Sequence, residues 1–265
     1  MEIVLAVLQL IFILFIFSIA LLFLFVLLLT WSWAQTTDQE TVSLREILST
    51  TAIEWGALIT LTMGQIIGVK GFWEAPPILS EKVSARQLPV IFIPSLHTSS
   101  GLFRILLWRL QKHFFTSLWP FSWKSFLNSN DLLEDQLLQF IHDVLKSTKS
   151  PTIRLVSFGT SRPIISRVLS HPSLSEIQKH WIAISAPKKL SRTLQFLSTT
   201  RTKNCFQIST RSFTEPNLLI RGSRDVICYP DDVWGEGRSV SISPIGHYAV
   251  MLHPITVQRA LEELS

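Results

Sequence analysis

The chain has 265 residues, 47 % of them apolar, and a formal net charge of +5. Once an apolar N-terminal block is set aside, that is enough chain for one domain with its own core. The basic residues are scattered singly or in short pairs such as Lys188-Lys189, so no nucleic acid partner is expected and attraction to anionic lipid headgroups is the plainer use of the charge.

Residues Ile3 to Leu29 are apolar except for Gln9 and Ser18, with no charge between them. At 1.5 Å per residue such a run spans a hydrocarbon core of about 30 Å. The chain begins Met1-Glu2, without a basic start, and Thr30-Trp31-Ser32-Trp33-Ala34 is a poor cleavage site. A retained transmembrane anchor over 1–32 is therefore expected, with Trp31 and Trp33 at the interface and the lipid bilayer as a partner. Region 33–87 reads as a linker. Within it, Ala52 to Val69 is a short apolar stretch broken by Glu54, Gln65 and three glycines. A second span is one reading; an interfacial or domain-covering helix suits the interruptions better.

The rest, 88–265, alternates strand and helix patterns. Val90 to Ile93 is a continuous apolar run of strand length, and Leu102 to Leu110 has apolar residues at helical spacing. Phe114 to Leu118 suggests a second strand, interrupted by Pro120. Asn128 to Leu145 reads as an amphipathic helix with Asn130 at its N-cap. Ile153 to Leu169 is an apolar run, a knot of small polar residues and an amphipathic run: strand, tight turn, helix. Trp181-Ile-Ala-Ile-Ser185, Asn217 to Arg221 and Val240 to Ser243 supply further strands, and a helix closes the chain. The fold class is α/β, with a doubly wound, mostly parallel sheet. Cys205 and Cys228 lack metal-like spacing and read as two buried thiols, with a single disulfide left open.

Five short segments occur in a telling order. Pro89-Val-Ile-Phe-Ile-Pro94-Ser95 opens the domain, Asn130-Asp131 starts the helix before the tight turn, and Ser185-Ala186-Pro187 ends the strand after it. Ser223-Arg-Asp225-Val-Ile-Cys-Tyr-Pro230 and Gly246-His247-Tyr-Ala-Val-Met-Leu-His-Pro254 follow. Together Leu88 to Leu264 resembles the α/β-hydrolase superfamily, in particular bacterial membrane-anchored esterase- and lipase-like proteins. The resemblance implies a nucleophile elbow at Gly159-Thr-Ser-Arg-Pro163, with Asp225 as the acid and His247 as the general base. It also implies a single-pass protein of the bacterial inner membrane.

The elbow departs from Gly-x-Ser-x-Gly. Without gaps the family serine falls on Thr160. A shift by one puts it on Gly159, which has no side chain, and the opposite shift puts it on Ser161. Arg162 stands where a small residue is usual. In the oxyanion loop the family's His-Gly is Pro94-Ser95; proline has no N–H, leaving Ser95 or Leu96 to donate. His97 and His253 have no partner at metal-ligand spacing, and no metal or cofactor is assigned. Two readings result. One is a scaffold with a degraded catalytic site, a pseudoenzyme that binds an acyl ester, a lipid or a membrane protein partner. The other is an esterase or lipase acting through Thr160 or Ser161 with Asp225 and His247.

Overall fold

The computed structural model describes residues 43–66, 88–96, 98–111, 117–123, 130–187, 214–225 and 238–264, together with part of 16–28. The expected anchor at 1–32 lies outside these apart from scattered helical positions, as do His97, Lys188-Lys189 and both cysteines. No helix among the described residues is long and apolar enough to cross a membrane.

Among the described residues, six strands form one parallel sheet: β1 (Val90–Ile93), β2 (Leu118–Pro120), β3 (Thr152–Phe158), β4 (Gln178–Ile184), β5 (Leu218–Gly222) and β6 (Arg238–Ile242). Their order across the sheet is β2-β1-β3-β4-β5-β6. Strands buried on both faces must be apolar at nearly every position, which is how β1 and the ends of β3 and β4 read. Alternate side chains enter opposite cores. Val90, Phe92, Val156, Phe158, Ile182, Ile184 and Ile220 face one layer; Ile91, Ile93, Leu155, Trp181, Ala183 and Leu219 face the other.

The second strand lies further along than the sequence suggests, at Leu118–Pro120. Pro120 closes it rather than breaking it, because β2 is an edge strand and needs no ladder bond on its outer side.

The α-helices among the described residues include α1 (Leu44–Ile66), α2 (Arg104–Gln111), α3 (Asn130–Thr148), α4 (Arg162–Leu169), α5 (Ala249–Leu252) and α6 (Pro254–Leu264). Apolar residues at 133, 137, 141 and 144 put one stripe of α3 into the second layer, beside Ile164, Ile165, Val168 and Leu169 of α4. Lys149, with φ of 51°, ends α3 in a left-handed residue ahead of Ser150-Pro151. Pro163 sits in the first turn of α4, where its missing N–H costs nothing. Residues from α2, α5 and α6 cover the first layer. Helices thus pack on both faces of the sheet.

Within the region 33–87 expected as a linker, residues 44–66 form α1, whose inner face packs on the domain, as the domain-covering reading has it. Ala57 and Leu61 are buried in the first layer with Phe103, Phe158 and Val250. Glu54, which reads in sequence as an interruption, is only 6 % exposed. Trp55 meets Phe23 edge-on at 5.9 Å. The outward residues Leu44, Leu48, Ile53, Ile59 and Met63 are apolar and exposed.

Candidate functional site

Chain order reverses across the sheet at β1, since β2 lies on one side of it and β3 on the other. At such a switch point the loops leaving two neighbouring strands diverge and open a crevice at their carboxyl ends. The loop after β1 carries Ser95, and the turn after β3 is Gly159–Ser161.

Phe158 leaves β3 in extended conformation, and Gly159 follows with φ of +68°. A left-handed residue directly after a buried strand makes the sharp reversal into α4, and glycine adopts it without steric cost. The left-handed residue of this turn is therefore Gly159, not Thr160 or Ser161. A Cβ there would meet Ser95 Oγ at 2.7 Å and Ser95 Cβ at 2.9 Å. The Ser95 hydroxyl occupies the space into which an elbow side chain would project.

The other two register choices place hydroxyls elsewhere. Thr160, one residue on, is half-buried. Its backbone N–H donates to Ser95 Oγ at 3.1 Å, and the two hydroxyls share a hydrogen bond of 2.8 Å. Ser161 is fully buried and donates back to the Phe158 carbonyl at 3.3 Å. It stands at the N-cap position of α4, which begins at Arg162, without a side-chain capping bond. Arg162 occupies its small-residue position by burying its guanidinium against Glu215, in an ion pair, and the Ala186 carbonyl.

The loop after β1 is fixed by its own bonds. The Ser95 carbonyl accepts from the Thr98 N–H at 3.0 Å and its hydroxyl at 2.8 Å, and Trp123 Nε1 donates to the Pro94 carbonyl at 3.2 Å. Leu96 turns its side chain into the second core layer.

Asp225, three residues beyond β5, and His247, after β6, do come together. His247 Nδ1 lies 3.0 and 3.1 Å from the two carboxylate oxygens, with Asp225 1 % exposed and His247 4 %. A carboxylate only accepts, so Nδ1 carries the proton and Nε2 is left as the basic nitrogen. The ring stacks at a tilt on Phe158, centroids 4.9 Å apart, and meets Tyr248 edge-on at 5.0 Å. Phe158 immediately precedes the elbow, so the imidazole stands beside it. Among the described residues, no hydrogen bond joins His247 to Ser95, Thr160 or Ser161. His253 sits at the α5–α6 junction, where its Nδ1 accepts the Ile255 N–H at 3.3 Å.

The overall likeness to solved structures follows this topology. Lipase BlEst2 of Bacillus licheniformis matches with a TM-score of 0.56 and 11 % identity, over 72 % of this chain and 98 % of that one. The fold is that of the α/β-hydrolases. Lipase B of Aspergillus fumigatus matches with a TM-score of 0.54 and 14 % identity, over 71 % of this chain and 55 % of that lipase. A metagenome-derived lipolytic enzyme gives 0.54 and 11 %, over 74 % and 98 %. No protein-family model and no curated protein matches. At these identities the likeness concerns the hydrolase fold alone.

Sequence reasoning missed one contributor to this site. Glu54 of α1 accepts the N–H groups of Gly246 (3.0 Å) and Ala249 (3.1 Å) on Oε1 and of Tyr248 (2.7 Å) on Oε2. Burial pushes its carboxyl above the usual range, opposed by the Tyr248 and Ala249 N–H groups and by His247. The signal available in sequence was a lone acid in an otherwise apolar helical stretch.

Proposed function

We propose that this chain is a membrane-anchored α/β-hydrolase-like module that binds without hydrolytic turnover. One observation carries the reading: the elbow position is Gly159, which has no nucleophile, while Ser95 takes up the Thr160 N–H. In the hydrolase fold the N–H of the residue after the nucleophile belongs to the oxyanion hole. Here that donor faces a serine of the same chain, and the loop opposite contributes Pro94. Removal of one oxyanion donor costs about a hundred- to a thousand-fold in rate. Both the nucleophile and one stabilising donor are thus diverted from acyl transfer.

The anchor expected at 1–32 and the exposed apolar outer face of α1 support a position against a lipid bilayer. An acyl-ester or lipid ligand, or a membrane protein partner, is the occupant that this placement favours.

A second reading rests on a single distance. Ser95 Oγ lies 2.7 Å from where an elbow Cβ would be, on a half-buried residue, so a hydrolase of this chain would use Ser95 rather than Thr160 or Ser161. Fluorophosphonate labelling of the detergent-solubilised full chain separates the two. No labelling of folded protein supports the binding module. Labelling abolished by both Ser95→Ala and His247→Ala establishes the second reading, and labelling lost in Thr160→Ala or Ser161→Ala overturns both.

A further inference from the structure

The acid and histidine loops are bound to α1 as firmly as to each other. The loop from Ile242 to Tyr248 accepts backbone N–H bonds from the acid loop: Ser223 to Ile242 at 2.9 Å and Arg224 to Ile245 at 3.0 Å. A Cβ at Gly222 would come within 2.2 Å of the Ile245 carbonyl, so the two loops touch through backbone. From the other side, Glu54 takes three N–H groups around His247. Its approach requires Gly246, where a Cβ would meet Glu54 Cδ at 2.6 Å. Arg224, next to Asp225, closes the circuit by bonding back to Thr50 and to Glu46 of α1.

Geometry and chemistry explain why a glutamate is needed. A carboxylate has two oxygens and no donor, which suits it to accept three converging N–H groups that would be costly to leave unsatisfied in a buried site. Glutamine would still offer Oε1 to Gly246 and Ala249 but would turn an NH2 toward the Tyr248 N–H. Aspartate is one methylene too short to reach from α1.

We propose that Glu54 is the positioning residue for His247, so that the helix before the hydrolase-like domain supplies part of its site. It fixes the backbone on both sides of His247, and thereby the aim of Nδ1 at Asp225. The inference does not depend on whether any hydroxyl acts as a nucleophile.

The test uses the full chain in detergent with 15N-labelled histidine. The His247 Nδ1–H resonance is assigned by its loss in His247→Ala, and backbone amide exchange is read in parallel. In wild type a downfield, slowly exchanging Nδ1–H is expected. Glu54→Ala should lose it although Asp225 and His247 are intact, and Glu54→Gln should weaken it while raising Tyr248 amide exchange about tenfold or more. Ile53→Ala, on the exposed face, should leave both unchanged. A folded Glu54→Ala protein that keeps the wild-type resonance overturns the proposal. If Glu54→Ala does not fold, Glu54→Gln decides, and wild-type resonance and exchange in that variant overturn it equally.

Discussion

The Ser95 hydroxyl accepts the Thr160 N–H at 3.1 Å and shares a 2.8 Å hydrogen bond with the Thr160 hydroxyl. This pair ties the loop after β1 to the turn after β3, at the point where chain order across the sheet reverses. It fills the space of a side chain at Gly159 with a group from the loop after the neighbouring strand.

The first prediction concerns that space. Gly159→Ser puts a side chain on a left-handed residue and a Cβ at 2.7 Å from Ser95 Oγ. The expected cost is about 2–4 kcal/mol, read as a lowered Tm. Pairing it with Ser95→Gly removes the collision and should recover part of the loss, leaving the strain of the φ angle. The double variant is also expected to gain fluorophosphonate labelling that wild type lacks. Equal Tm loss in the single and double variants would show that crowding by Ser95 is not the cause.

A second prediction separates the two faces of α1. Leu61 is 2 % exposed and shares the core with Phe158 and Val250, whereas Met63 is 45 % exposed. Leu61→Ala should destabilise the whole domain by about 3 kcal/mol, with strands and helices melting together. Met63→Ala should fall within about 0.5 kcal/mol of wild type. Independent melting of α1 would contradict its place in the core.

The third follows from the pairing of Arg162 with Glu215. Arg162 is 5 % exposed, so removing Glu215 takes an ion-pair partner from a buried cation. Glu215→Ala is expected to cost about 2–3 kcal/mol, toward the low end for such pairs because Glu215 itself is 34 % exposed. Arg162→Met, which fills similar volume without charge, should cost less. Thermal unfolding of the two variants side by side checks the order.

The fourth concerns pH. Burial, with Glu54 and Asp225 nearby, pushes the Tyr248 phenol from 10.0 up to about 12. Between those values the unfolded chain has released a proton that the folded chain keeps. The stability tied to the neutral phenol is therefore fully present below pH 10 and lost as pH rises through about 12. Phenolate absorbance, as a difference between wild type and Tyr248→Phe, should show a midpoint near 12, and Tyr248→Phe should lose stability less steeply above pH 10. A midpoint at 10 would exclude the buried environment.

Much of the fold was legible because it is periodic. Continuous apolar runs of strand length such as Val90–Ile93 and Trp181–Ile184 suit strands covered on both faces, and alternation with helical patterns implies a parallel, doubly wound sheet. Asp225 and His247 were legible as candidates from their order along the chain. That their side chains meet at 3.0 Å is a matter of the β5 and β6 ends lying side by side.

Three features were decided only in three dimensions. Which residue of Gly159-Thr-Ser161 takes the elbow position depends on where β3 stops pairing with β1 and β4, a register that neighbours fix. Ser95 entered that space because β1 and β3 are adjacent, although the two residues are separated by 64 positions in the chain. Glu54 reads as a defect in an apolar stretch until the N–H groups of Gly246, Tyr248 and Ala249 are seen to converge on it. By itself the sequence determined periodicity and composition, hence the elements and their class, because those follow from local chemistry. The contacts that define the site join residues distant in the chain, and only the packed sheet brings them within hydrogen-bonding reach.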